Sequence, residues 1–204
     1  MADQIEFGLD TFGDVTVGAD DAPLSHAQVI RNLVAEGVLA DELGIDFIGV
    51  GEHHRADFAV SAPEVVLAGI ATATKHIKLG SAVTVLSSDD PIRVFQRFAT
   101  VDALSNGRAQ MVVGRASQTQ SFPLFGYDIA DYEQLFEEKL DLFMKLQRNE
   151  SVTWSGTGPI SAIRPAYITA TRSAVSAITP MSWVTSITAV PFSRARVLSN
   201  AITC

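Results

Sequence analysis

The sequence predicts an α/β fold in which parallel strands alternate with helices. Short apolar runs typical of buried strands alternate along residues 1–150 with longer stretches that carry helix-capping residues. The later strands start near residues 46, 77 and 109, a spacing typical of a TIM barrel or a doubly wound sheet. In either architecture ligands bind at the carboxyl ends of the strands, so those ends are where functional residues are expected.

The first unit is a short strand at 5–9 followed by a helix at 25–44. Ser25 precedes the apolar periodicity and is predicted to cap the helix, because a serine oxygen accepts from the free N–H groups of the first turn. Gly44 follows the last periodic residue, where a left-handed conformation commonly ends a helix. The apolar run at 46–50 then predicts the second strand.

The third strand is predicted at 77–86, after a helix at 61–75. We expect that helix to open with a capping box, in which Ser61 reaches forward and Glu64 reaches back. Pro63 suits the first turn, where its missing N–H has no partner to lose.

The last predicted units are a helix at 89–107, a strand at 109–114 and an amphipathic helix at 131–149. Asp90 is the expected cap of the first of these helices, and Pro91 its first residue. Strands joined through helices in this order must run parallel, since each helix returns the chain to the same edge of the sheet.

Composition excludes several functional classes. The 204 residues carry a formal net charge of −8, which argues against a nucleic-acid surface, because phosphate binding needs clustered Lys and Arg. No apolar run approaches the roughly 18 residues of a membrane span, and the first residues lack the pattern of a signal peptide. With one cysteine, Cys204, no intrachain disulfide forms. The simplest expected location is the cytoplasm.

Residues 156–204 differ from the rest of the chain. All 23 acidic residues lie in 1–150, whereas 151–204 contain no Asp, Glu, Lys or His and only four Arg. Three interpretations compete: a low-complexity or linker segment, a stretch with an unusual surface role, or an out-of-frame product that replaced a normal C-terminal region. We favour the third, and expect a poorly packed or disordered tail after an ordered region at 1–155.

The stretch "FIGVGEHHRADF" ends a predicted strand in Glu52, His53 and His54. Metal binding is not expected, because adjacent residues at a strand end point to opposite faces and the HExxH spacing is absent. One alternative is structural, with one histidine bonded to a buried carbonyl and the other solvated. The other is functional, with a neutral imidazole serving as a base or hydrogen-bond partner to a reactant.

"GEHHRADF" together with "LGSAVTVLSSDDPIRVFQRFATVDALSNGRAQMVVGRA" resembles the bacterial luciferase-like, flavin-dependent monooxygenases, and the likeness covers nearly all of 1–155. The resemblance implies a TIM barrel. Eight βα units need about 250 residues, so the expected fold is α/β, the N-terminal half of a (β/α)8 barrel with parallel strands.

The resemblance also implies roles for six residues. His53 matches the family's catalytic histidine, and Arg115 matches the arginine that holds the FMN phosphate. Ala82 and Val83 match a site where a non-proline cis peptide supports the flavin ring. Gly114 stands where the luciferases carry a reactive cysteine, so light emission is not implied. The cofactor-binding residues expected on this basis are Glu52, Ala82, Val83, Gly114 and Arg115.

The implied activity is oxidation of an aldehyde or another small organic substrate with reduced FMN and oxygen, a separate flavin reductase supplying the FMN. Two alternatives stay open: a deazaflavin-dependent oxidoreductase, and a truncated, non-catalytic remnant that binds no flavin. The resemblance further implies a homodimer through helix 61–75, whose apolar residues occupy more than one face.

Overall fold

The computed structural model describes residues 5–116, 118–148 and 156–157. Strands and helices alternate along this part of the chain. The strands are β1 (Gly8–Thr11), β2 (Phe47–Val50), β3 (Lys78–Ser81), β4 (Thr84–Val85), β5 (Ala109–Gln110) and β6 (Val113–Gly114). The helices are α1 (His26–Glu42), α2 (Pro63–Ala73), α3 (Pro91–Ser105), α4 (Ser121–Leu124) and α5 (Tyr132–Gln147), with a 3-10 turn at Ile129–Asp131.

The sheet is parallel and follows chain order, which confirms the predicted α/β half-barrel arrangement. Four strands pair in the order β1-β2-β3-β5, and β4 pairs with β6 in a two-stranded continuation. Within the described residues, β1 and β5 are the edges of the larger sheet. The consecutive order places the carboxyl ends of all the strands along one rim.

The two faces of the sheet are packed differently. On one face, buried strand residues such as Ile48 and Leu79 join the apolar sides of the helices in one core. On the other face, the ring of Phe47 lies against Gly49 and Gly80, where a built Cβ would come within 3.0 Å and 2.5 Å of it. The glycines therefore leave the room that the phenylalanine ring occupies. The helical part of the core includes Leu33, Leu67, Ile70, Phe98, Phe136 and Phe143.

Two of the three predicted helix caps are confirmed. Ser25 accepts from the backbone N–H of Gln28, and Asp90 accepts from that of Ile92. The capping box at Ser61 is wrong: α2 begins at Pro63, and its N-cap residue, Ala62, makes no side-chain bond. Glu64 turns to an arginine of the neighbouring helix instead, because a buried carboxylate gains more from a cation than from a backbone N–H.

Two predicted strands are interrupted. The run at 77–86 forms β3 and β4, which are separated by a cis peptide bond between Ala82 and Val83. The run at 109–114 likewise forms β5 and β6. The helix α4 and the 3-10 turn were not predicted, because four-residue and three-residue elements are too short to show periodicity.

Helix α2 is largely covered within the chain. It packs between α1 and α3, and four of its apolar residues are buried: Val66, Leu67, Ile70 and Ala71. Val65 remains 67% exposed. No helix in the described part of the chain is long and apolar enough to cross a bilayer. The expectations for the tail lie outside the described residues, apart from residues 156–157.

Candidate active site

A cavity of about 360 Å³ opens at the carboxyl ends of the strands. The chain reaches it from the ends of β1, β2, β4 and β6 and from the segment that leads into α5. All six residues singled out in the sequence lie on its wall, because parallel strands in chain order bring their ends to one rim. The lining residues are Phe12, Glu52, His53, His54, Phe58, Ala82, Val83, Val85, Gly114, Arg115, Ala116, Gln118, Gln120, Ser121 and Tyr132.

His53 lies between two aromatic rings. Its imidazole stacks on Phe58 at 4.2 Å between ring centroids, and the edge of Phe12 approaches it at 5.1 Å. Burial among these rings lowers the pKa of His53 below its ordinary 6.5, although Asp14 and Glu52 act in the opposite direction. The imidazole is therefore neutral at pH 7. Its Nδ1 is buried and makes no hydrogen bond within the described ranges, whereas the residue as a whole lines the cavity.

Glu52 connects two strand ends. One carboxylate oxygen lies 2.8 Å from His54 Nε2, and the other accepts from the backbone N–H of Val85 at 2.9 Å. Both oxygens are thus engaged inside the protein, and the side chain fixes the end of β2 beside β4. The ring of His54 in turn meets the edge of Phe125 at 5.1 Å.

The two adjacent histidines have different contacts, although both lie on the cavity wall. His53 lies on Phe58, and His54 is bonded to Glu52. Within the described ranges, no group of three or more His, Cys, Asp or Glu side chains could hold a metal ion.

One wall of the cavity is built from small side chains. The cis peptide bond between Ala82 and Val83, which the family resemblance implied, lies here beside Gly114. A Cβ added to Gly114 would lie 2.6 Å from Val83 Cγ2, well inside van der Waals contact. Glycine at 114 therefore permits the close approach of the two strands at the rim.

Arg115 lies at another part of the wall. Its Cζ is 4.6 Å above the centroid of the Phe136 ring, and its Nε lies 2.8 Å from Glu133 Oε2. The direction of the Nε–H does not match a hydrogen bond to that oxygen, and Nε is a buried donor without a bonded acceptor in the described ranges. The contact is therefore an ion pair in which Glu133 lies beside the guanidinium without a hydrogen bond from Nε.

A network of partly buried charges includes Arg97, Glu64 and Asp89. Arg97 Nε is 2.6 Å from Glu64 Oε1, and its NH2 group contacts Asp89. Burial raises the pKa of both Glu64 and Asp89, and the charge of Arg97 opposes that rise. No sequence pattern indicated this network, since Glu64 fitted a capping pattern.

Other wall residues were also missed. Phe12 follows β1, which ends at Thr11. It was missed because the first strand had been predicted to end at residue 9. Phe58 had no comparable signal. Tyr132 lies on the wall because its hydroxyl donates to the carbonyl of Ala116 at 2.8 Å. The two residues are 16 positions apart, so no sequence periodicity predicts this contact.

Comparison with known proteins identifies the family. The sequence model described as luciferase-like monooxygenase matches residues 9–189. This chain belongs to the luciferase-like monooxygenase family. The match runs past residue 155, where the likeness had been expected to end; the domain boundary itself stays a prediction.

Named relatives of this luciferase-like chain are monooxygenases. It is 33% identical over 150 residues to limonene 1,2-monooxygenase of Rhodococcus erythropolis, covering 71% of this chain and 39% of that one. It is 30% identical to the alkanal monooxygenase alpha chain of Photorhabdus luminescens, covering 68% and 37%. The chain thus spans about two fifths of the length of these relatives.

Solved structures show the same fold. Monooxygenase RslO1 from Streptomyces bottropensis superposes with a TM-score of 0.66 at 25% identity, covering 79% of this luciferase-like chain and 51% of that one. The oxygenating constituent of 3,6-diketocamphane monooxygenase from Pseudomonas putida, solved in complex with FMN, gives 0.68 at 21% identity, covering 78% and 43%. An F420-dependent secondary alcohol dehydrogenase gives 0.58 at 18% identity, covering 78% and 47%.

Proposed function

We propose that this protein is a monooxygenase that uses reduced FMN and oxygen to oxidise an aldehyde or another small organic substrate. A separate flavin reductase supplies the reduced FMN. The observation that carries the proposal is the cavity itself, on whose wall a neutral histidine, a wall of small side chains and an arginine lie together. Family membership supports the same conclusion.

The residues of the cavity fit a flavin. A planar ring needs a close, flat wall, and Ala82, Val83 and Gly114 supply small side chains there. A phosphate needs a cationic partner, and the guanidinium of Arg115 belongs to the cavity wall. These residues would hold the ring and the phosphate, with His53 beside the ring.

The bound flavin supplies the electrons that activate oxygen, and the protein supplies position and surroundings. His53 is neutral, so its imidazole can accept a proton or a hydrogen bond from a reacting group at the cavity wall. The rings of Phe12 and Phe58 contact the imidazole and hold it in position. Glu52 acts on the site by holding His54 and the backbone of Val85.

Replacing His53 with Ala tests the catalytic assignment. We expect the variant to bind FMN with about the parental affinity but to oxidise no substrate when a reductase, a nicotinamide and an aldehyde are supplied. His76→Ala is the matched control, because His76 is exposed and absent from the cavity wall. Parental turnover by His53→Ala would remove His53 from the catalytic role.

A deazaflavin is the second candidate cofactor, since two structural neighbours are named for coenzyme F420. Such an enzyme transfers hydride without oxygen. Fluorescence titration of the chain with FMN and with a deazaflavin separates the two, the expected result being tighter binding of FMN. A chain that binds neither would be the non-catalytic remnant.

We also propose that the protein is a homodimer. We propose the cytoplasm as its location, because a flavin reductase and its nicotinamide would be present there. The support within α2 is Val65, whose apolar side chain is 67% exposed on the surface of that helix. The sequence had suggested that apolar residues on more than one face of this helix were open to a partner. The other large apolar residues of α2 are instead covered within the chain.

A further inference from the structure

The ion pair between Arg115 and Glu133 occupies the part of the cavity wall where an anion would bind. Arg115 is 22% exposed and stacks on Phe136, so the surrounding protein fixes its guanidinium. Glu133 is 66% exposed and reaches Arg115 from the first turn of α5. The two partners therefore differ in freedom: the carboxylate can turn out into water, whereas the guanidinium stays in place.

The position of Glu133 follows from the packing of its neighbour. The Tyr132 hydroxyl donates to the carbonyl of Ala116, and its ring stacks on Phe122 with the centroids 5.6 Å apart. These contacts hold the start of α5 against the residues that follow β6. Glu133 follows Tyr132 in the chain, so these contacts also bring its carboxylate to Arg115.

We propose that Glu133 competes with the phosphate of FMN for Arg115, so that FMN binds only when this ion pair opens. The inference rests on the proposed function. A phosphate and a carboxylate both seek the same guanidinium, and they repel each other when close together. Glu133 thus lowers the affinity of the cavity for phosphorylated flavin and has no effect on the isoalloxazine ring.

Inorganic phosphate provides a test that needs no flavin. The Nε–H signal of Arg115 is followed by ¹H–¹⁵N NMR, assigned with Arg115→Lys, while phosphate is added at constant ionic strength. Loss of a repelling charge near the anion is expected to lower the half-saturating phosphate concentration of Glu133→Gln about tenfold. Glu137→Gln is the control, because Glu137 lies one turn further along α5, is exposed and has the same charge.

Flavins provide the second arm. Glu133→Gln is expected to bind FMN about tenfold more tightly than the parent, with riboflavin binding unchanged because riboflavin has no phosphate. Equal phosphate and FMN affinities in the parent and Glu133→Gln, or an equal gain for riboflavin, would overturn the inference.

The two arms separate this inference from the proposed function. A tenfold phosphate effect in a chain that binds no flavin would leave the competition standing and reject the FMN function. Equal FMN affinity in the parent and in Glu133→Gln would reject the competition and leave the FMN function standing.

Discussion

Gly114 has little room for a side chain at the cavity wall. Its built Cβ would lie 2.6 Å from Val83 Cγ2, so a side chain at 114 must displace the valine at the cavity wall. We expect Gly114→Ala to lower the free energy of unfolding by about 1–3 kcal/mol, the usual cost of overpacking, and to weaken FMN binding. Urea unfolding and FMN fluorescence measure the two effects.

Gly69→Ala is the control for that substitution. Gly69 lies in α2, and a Cβ there would be 3.6 Å from Val34 Cγ2, an ordinary contact. Alanine in a helix interior is worth up to about 1 kcal/mol over glycine, so this variant should be as stable as the parent or more so. A Gly114→Ala chain as stable as Gly69→Ala would show that Val83 moves aside freely.

The pKa of His53 predicts an acid limb in the activity of the proposed enzyme. Burial holds this pKa below 6.5, so the neutral form persists as the pH falls from 7 through 6.5. Oxidation should decline only when the pH drops through the lowered pKa. The stability that neutral His53 contributes is likewise present above pH 6.5 and lost as the pH falls through the folded-state pKa.

NMR titration of the His53 Cε1–H signal locates that pKa. A midpoint at or above 6.5 would contradict the prediction. In His53→Asn, which cannot titrate, the fall in stability assigned to this residue should disappear.

At the scale of the elements, Arg97 joins α2 to the start of α3. It contacts the buried carboxylate of Glu64, in α2, and the half-buried carboxylate of Asp89, in the loop before α3. Removing the cation leaves both carboxylates without this partner. We expect Arg97→Ala to lower the free energy of unfolding at pH 7 by roughly 2 kcal/mol, less than for a fully buried pair because Arg97 is 36% exposed.

The difference between parent and Arg97→Ala should narrow in mild acid. Burial already raises the pKa of Glu64 and Asp89, so without Arg97 these groups take up protons at higher pH, and the protonated forms need no cation. Arg31→Ala is the control, since Arg31 is exposed and donates to Gln28 within its own helix. A deficit that grows in acid would contradict this account.

For the whole molecule, the proposed dimer interface rests on one exposed side chain of α2. Val65→Glu places a charge on that surface without touching the buried residues of the helix. We expect the parent to be a dimer at micromolar concentration and the variant a monomer, by light scattering. Val17→Glu is the control, because Val17 is 61% exposed and lies outside α2. A parent that scatters as a monomer would reject the dimer.

The sequence alone predicted the alternation of strands and helices and the caps at Ser25 and Asp90, and the family resemblance added the six candidate residues that lie on the cavity wall. The alternation and the caps depend on neighbours along the chain, and the meeting of the candidate residues follows from one geometric rule. Consecutive parallel strands must bring their carboxyl ends to one rim, so residues at those ends meet even though 30 or more positions separate them.

The tertiary structure decided the partners of the charged side chains. Glu64 fitted a cap but pairs with Arg97, and Arg115 fitted a phosphate site but also contacts Glu133. Arg108 was given no role from the sequence, yet its guanidinium donates to the carbonyls of Ala71, Thr74 and Ile77. A long charged side chain can reach several acceptors, and packing between distant segments determines which of them lies within reach.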